Sequence, residues 1–161
     1  MGQVNYITPH GFAALQQAHR QLFEVERPRI VEIVSWAAGN GDRSENGDYL
    51  YGRKRMREID RELNRLARRM KDAQIVDPCR QPDKSRVFFG ATVTVVDEED
   101  VEQTFTLVGV DEADASSRRI SWHSPIARAL RGAAVGDVRV VALPGGSREL
   151  EVIGIDYPAA A

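Results

Sequence analysis

Two long runs with helical spacing of apolar residues flank one short polar stretch, and few folds accommodate that arrangement. The stretch is Gly41-Asp42-Arg43-Ser44-Glu45-Asn46-Gly47-Asp48-Tyr49, rich in turn formers and carrying three carboxylates within seven residues. Two long helices joined by a tight polar turn form an αα-hairpin. Such a turn is expected at the far end of a rod, with its acidic residues held out in solvent.

The first helix is expected to begin at Thr8-Pro9, because Thr caps helices well and Pro at the first position costs no hydrogen bond. Phe12, Leu15, His19, Leu22, Glu26, Ile30, Ile33 and Ala37 follow at spacings of three and four, one mostly apolar helix face. Pro28 interrupts the run. An interior Pro removes an i→i−4 bond, so a kink or irregularity is expected there. The end falls near Ala38-Gly39, and ~30 residues at ~1.5 Å each give about 45 Å.

A second helix is expected from near Glu45, with Tyr49, Met56, Ile59, Leu63, Leu66 and Met70 in a stripe. From Met56 onward the spacing alternates three and four, the pattern of a coiled-coil seam. So narrow a seam needs one partner helix, and the short turn makes the first helix that partner, folded back antiparallel. An intermolecular coiled coil is the alternative. This helix is expected to end before Asp77-Pro78, with a linker from Cys79 to Lys84.

The remainder reads as β-rich. Strands are expected over 89–97, 104–110, 118–122, 138–143 and 149–155, with an acidic turn at Glu98–Asp100 and a hairpin signal at Pro144-Gly145-Gly146. Ser124-Pro125-Ile126-Ala127-Arg128-Ala129-Leu130 reads as a short helix with Pro at its first position. The expected fold class is α+β: residues 1–78 an antiparallel coiled-coil hairpin with an acidic tip, and residues 79–161 a small antiparallel sheet domain with one short helix.

Charge and cysteine usage narrow the function classes. The net charge of −2 over 161 residues gives no bulk attraction to nucleic acid. Residues 1–78 hold 13 Lys and Arg against 11 Asp and Glu, and residues 79–161 hold 9 against 13, so any basic surface is local. Cys79 is alone, which excludes an internal disulfide and a Cys-based metal site and fits a reducing cytoplasm. No apolar run approaches the ~20 residues that span a bilayer. The N-terminus has no basic segment followed by an apolar one, so no signal peptide is expected. His10, His19 and His123 lack ligand spacing, so no zinc site is read. Ser124 has no evident base and is better explained as a helix N-cap than as a nucleophile.

Two separate motifs resemble one family. Gly41 through Asn46 with Asp48-Tyr49, Trp36-Ala37-Ala38 before them and Glu26-Arg27-Pro28 upstream are similar to the tip of the bacterial Gre transcript cleavage factors. Ser124 to Leu130 followed by Gly136-Asp137 resembles the C-terminal signature of the same family. Arg57-Glu58-Ile59-Asp60 and Phe88-Phe89-Gly90 resemble its GreB branch more than its GreA branch, and the match runs in order over nearly the whole chain. Two positions depart: Gly47 stands where the family commonly has Ala, and His123 where many relatives carry an acid.

The resemblance implies an FKBP-like C-terminal domain and a cytoplasmic, monomeric factor that binds bacterial RNA polymerase through a surface including His123, Ser124 and Pro125. It implies a hairpin that enters the secondary channel and promotes endonucleolytic cleavage of the backtracked nascent RNA 3′ segment. The polymerase would supply the active site, so the chain is expected to be no enzyme by itself, and no membrane partner is implied.

Asp42 and Glu45 are the implied catalytic and metal-binding pair. Two-metal phosphodiester cleavage needs an ion on the attacking water and another on the leaving oxygen, and Mg²⁺ prefers carboxylate oxygens. Two exposed carboxylates hold Mg²⁺ poorly, so the ion is expected only when polymerase completes the site, with none bound stably by the isolated chain. The competing reading is structural: Asp42-x-x-Glu45 is also a capping box, and acids in a first turn complement the helix dipole. Asp48 fits that dipole role. Arg53, Lys54 and Arg55, just below the tip, are candidate RNA phosphate contacts, and Tyr49 or Tyr51 could stack on a base. Two other functions stay open at this point: a secondary-channel regulator that does not stimulate cleavage, and a prolyl isomerase, which rests on fold alone.

Overall fold

The computed structural model describes residues 4–41 and 45–159. They form two compact units. One comprises Phe12–Asp72, and the other joins the segment ending at Gly11 to the chain from Ala73 onward.

The helical unit is built from α1 (Pro9–Arg20), a π-helical segment (Gln21–Glu26), α2 (Arg27–Ala38) and α3 (Gly47–Asp72). Thr8 caps α1 as expected, its Oγ1 accepting from Gly11 N at 3.0 Å. The irregularity expected at Pro28 lies just before it. Arg27 N donates to Leu22 O, an i→i−5 bond. In a regular helix the Pro28 ring would crowd the carbonyl of Glu24 and offer it no N–H. A wider π turn removes that conflict, and Pro28 then occupies the first turn of α2, where its missing N–H is no loss.

Helices α2 and α3 run antiparallel. Residues 26 and 27 meet residues 55 to 60, Val34 meets Gly52, and Ala37 meets Asn46. Ile30, Ile59 and Leu63 are buried together, with Leu22, Ile33, Val34 and Met56 packed around them. The seam is therefore filled from within one chain. A Cβ on Gly52 would lie 2.6 Å from Val34 Cγ2, so this glycine lets the helices approach closely near the tip. Glu26, a polar member of the expected apolar face, accepts from the Arg55 guanidinium across the hairpin, and Arg27 Nε donates to Asp60 at 2.9 Å.

In the second unit, β1 (Asn5–Ile7) pairs in parallel with β2 (Ala73–Ile75), Ile7 opposite Ile75. The division between the two units lies a few residues before the expected boundary at residue 78. The second helix stops at Asp72, and residues 73–78, with the N-terminal strand, join the sheet-containing unit. Strands of three residues are too short to carry a period-two signal.

Strands β3 (Thr92–Val96), β4 (Glu102–Val108), β5 (Arg119–Ser121), β6 (Val138–Leu143) and β7 (Gly146–Asp156) form one sheet in the order β5-β4-β3-β7-β6. Its pairings are antiparallel except β4 with β5, which run parallel, so the edge departs from the expected all-antiparallel sheet. One face carries Val93, Val95, Phe105, Leu107, Val141 and Val152 into a core closed by α4 (Pro125–Leu130) through Ala127 and Leu130. The opposite face carries Thr92 bonded to Thr106 and Thr94 bonded to Thr104. β3 starts at Thr92 rather than Phe89 because Gly90, with φ +87°, turns the chain against Pro78. Among the described residues, no helix is long and apolar enough to cross a membrane.

Candidate functional site

The tip of the hairpin is organised by Asn46. Its side-chain amide donates to the Ala37 carbonyl at 2.7 Å, satisfying an acceptor at the end of α2. Its Oδ1 accepts from Tyr49 N at 3.1 Å, the N-cap bond of α3. One side chain therefore closes both helix ends.

The described cap of α3 is therefore Asn46, one residue after the Asp42-x-x-Glu45 spacing. A capping box needs its Glu at the third helical position, inside the helix. Helix α3 begins at Gly47, Glu45 lies before it in the exposed turn, and Asn46 takes the cap. Among the described residues, the capping bonds of α3 are those of Asn46, not Glu45. Asp42 lies outside the described residues, as do Arg43 and Ser44. Asp48 sits in the first turn of α3, the expected dipole position.

A hollow of about 480 Å³ at the tip is lined by Trp36, Asn40, Glu45, Asn46, Gly47 and Asp48. Trp36 is 64% exposed. Its position off the apolar stripe, between Ile33 and Ala37, was a sequence signal for a surface role that the stripe itself conceals. Glu45 and Asp48 offer hard carboxylate oxygens, the right kind of donor for Mg²⁺. They do not suffice in number: among the described residues, no group of three or more His, Cys, Asp or Glu could hold a metal.

The basic cluster divides. Arg53 and Lys54 are exposed on α3. Arg55, grouped with them from sequence, turns to the helix interface, where it bonds Glu26 and, at 3.2 Å, Glu58. Hydrogen bonds that it donates to Glu26 and then to Glu58 hold its guanidinium above the usual pKa. Arg55 is a cross-hairpin strut, and the phosphate-binding candidates reduce to Arg53 and Lys54. Tyr51 is exposed and Tyr49 half-buried, so Tyr51 has the free ring.

The three residues assigned to polymerase contact lie at the start of α4. Ser124 is its N-cap, accepting from Ala127 N at 3.2 Å, and Pro125 is the exposed first helical residue. His123 Nε2 lies 3.0 Å from the Val4 carbonyl. Behind them Tyr6, Phe89 and Trp122 pack with tilted or edge-on rings, a cluster that draws on the N-terminal strand and escaped sequence reasoning. A second residue missed from sequence is Glu112, whose side chain is 2% exposed. It accepts from Thr8 N at 3.1 Å, Thr8 Oγ1 and Gly109 N at 3.0 Å, and lies 3.6 Å from Arg119. It anchors the N-terminal segment, and nothing in the local sequence marks it. The cavity on the threonine face of the sheet, about 600 Å³, has His10 and Tyr157 in its wall.

Comparison with known proteins finds family models and relatives that cover most of the chain. Residues 5–75 match the family model "Transcription elongation factor, N-terminal", and residues 81–157 match "Transcription elongation factor, GreA/GreB, C-term". The transcription elongation factor GreB of Neisseria meningitidis serogroup B is 52% identical over 153 residues, covering 95% of this chain and 94% of that protein. GreB of Yersinia pestis is 45% identical, covering 98% and 91%. Among solved structures, a GreA/GreB factor from Nitrosomonas europaea aligns over 97% of this chain and 100% of its own with 22% identity and a TM-score of 0.42. The Gfh1 protein of Thermus thermophilus aligns over 96% and 99% with 22% identity and a TM-score of 0.43. The chain belongs to the GreA/GreB family of transcription elongation factors, and it is GreB-like.

Proposed function

We propose that this protein is a transcription elongation factor that binds bacterial RNA polymerase, inserts its hairpin into the secondary channel and stimulates cleavage of backtracked nascent RNA. The observation that carries the reading is the exposure of Glu45. It stands exposed ahead of α3 while Asn46 performs the capping that would otherwise explain an acid there.

In this reading the chain is not an enzyme by itself. Asp42 and Glu45 would hold Mg²⁺ together with groups of the polymerase, which supply the ligands that two carboxylates lack. When bound, that ion supplies activation of the attacking water and neutralisation of phosphate charge. The chain's own part is positioning: Asn46 fixes the start of α3 and with it the backbone from which Glu45 projects. Arg53 and Lys54 contact phosphates of the extruded 3′ segment without sequence preference. The free thiol of Cys79 suits a cytoplasmic setting.

The test is RNA cleavage in a stalled, backtracked polymerase complex with and without this protein, beside naked RNA with the protein alone. Cleavage stimulated only in the complex supports the reading. Unchanged cleavage in the complex contradicts it.

A further inference from the structure

The chain has two tryptophans, and the structure treats them differently. Trp122 is half-buried, with Tyr6 and Phe89 against it and the Arg131 guanidinium over its ring. Trp36 is 64% exposed, and no aromatic ring or cation among the described residues stacks on it. It stands in the last turn of α2, beside the buried Ala37 whose carbonyl Asn46 holds. The backbone that carries the indole is therefore fixed at the tip.

That indole is one wall of the hollow of about 480 Å³, which Asn40, Glu45 and Asp48 also line. An indole left in water keeps a large apolar face whose burial by a ligand is favourable. Charge decides which ligand suits it. Two carboxylates repel a phosphate unless a cation lies between, whereas a nucleobase is uncharged and presents a π-face. A protein cation also covers an indole well. Beside Glu45, however, it would pair with the carboxylate that the proposed metal contact requires. Asn40 adds an amide that both donates to and accepts from the edge of a base.

We infer that Trp36 is a base-stacking residue, which takes the unpaired nucleobase next to the scissile phosphate of the extruded RNA. The inference rests on the reading of this chain as a cleavage-stimulating factor and adds a contact to the base. In that reading the scissile phosphate comes to an ion at the tip carboxylates. One sugar joins that phosphate to its base, so the base arrives at the same hollow. Stacking on the indole then holds the nucleotide in place for cleavage. Such stacking accepts every base, and preferences among bases follow stacking strength.

The experiment measures stimulated cleavage over the intrinsic rate, with the full chain saturating polymerase binding. The backtracked RNA carries either a natural base or an abasic site at the extruded nucleotide next to the scissile phosphate. Wild type, Trp36→Phe, Trp36→Leu and Trp36→Ala are compared, each with a thermal unfolding curve and a polymerase affinity. On natural RNA, Trp36→Leu and Trp36→Ala should lower stimulation by roughly fivefold or more, and Trp36→Phe should recover part of the loss. Wild type should lose a similar factor on abasic RNA, where Trp36→Leu and Trp36→Ala cost nothing further. Stability and polymerase affinity should stay near wild type, because most of the ring is exposed. If Trp36→Ala does not fold, Trp36→Leu decides, since it keeps apolar bulk without a ring. Equal stimulation by wild type and the folded variants overturns the inference. So does wild-type stimulation that the abasic site leaves unchanged, a result that needs no variant. An equal loss on natural and abasic RNA also overturns it and assigns Trp36 to a protein contact. If wild type stimulates no cleavage on natural RNA, the proposed function fails and the inference with it, a result distinct from equal stimulation by wild type and variants.

Discussion

The Asn46 amide donates to the Ala37 carbonyl at 2.7 Å while its oxygen accepts from Tyr49 N, so one side chain joins the end of α2 to the start of α3. Asn46→Ala removes both bonds. Loss of an N-cap costs about 0.5–2 kcal/mol, and the orphaned Ala37 carbonyl adds to it. Asn46→Asp keeps the cap oxygen but cannot donate to Ala37, so its loss should be smaller. Thermal unfolding of the two variants should rank them in that order, and equal stabilities would mean that the cross-helix bond contributes nothing.

Gly52 and Val34 form a second contact near the tip. Gly52→Ala gains about 0.8–1 kcal/mol of helix propensity, whereas overpacking costs typically 1–3 kcal/mol. Added methyl and Val34 Cγ2 would stand 2.6 Å apart. We expect net destabilisation, reversed when Val34→Ala is added. A Gly52→Ala variant more stable than wild type would show that Val34 moves aside freely.

The buried Glu112 is surrounded by donors from Thr8 and Gly109 and lies beside Arg119. Replacing one partner of a buried charged pair is strongly destabilising, about 3–5 kcal/mol. Glu112→Ala should approach that range. Glu112→Gln, which retains an acceptor oxygen, should lose less. Denaturant unfolding measures both, and equal losses would assign the stability to packing against Gly11 rather than to the carboxylate.

Arg55 should separate from Arg53 and Lys54. Arg53→Gln with Lys54→Gln is expected to weaken rescue of extensively backtracked complexes more than shallow ones and to flatten the salt dependence, since longer extruded RNA offers more phosphates. Arg55→Gln should instead lower hairpin stability by about 1 kcal/mol, a figure limited by the part-exposed setting of its ion pairs. If Arg55→Gln impairs rescue without touching stability, the strut is also an RNA contact.

The sequence reading succeeded where a pattern repeats over several turns or strands. The α3 seam through Ile59, Leu63 and Leu66, the Thr8 and Ser124 caps, and the β6–β7 hairpin all follow from local periodicity and turn chemistry. It failed where a distant partner decides. Residues 73–75 become a strand only because residues 5–7 lie beside them, and two of Glu112's donors are on Thr8, 104 residues away. Arg55 looks like its neighbours until Glu26 is folded against it. At the tip, the cap of α3 falls to Asn46, the residue after the Asp42-x-x-Glu45 spacing, because the helix starts at Gly47.

The central claim is that the tip carboxylates serve as metal ligands rather than helix caps. The double variant Asp42→Asn with Glu45→Gln tests it, because Asn46 retains the cap and the amides retain shape. Any stability change should stay within dipole effects of about 0.3–1 kcal/mol per charge. An amide oxygen binds Mg²⁺ far less well than a carboxylate. The decisive measurement is stimulated RNA cleavage in a backtracked complex at a factor concentration that saturates polymerase binding. The account predicts that cleavage collapses while binding and thermal stability persist. Near-normal cleavage by the double variant would contradict it.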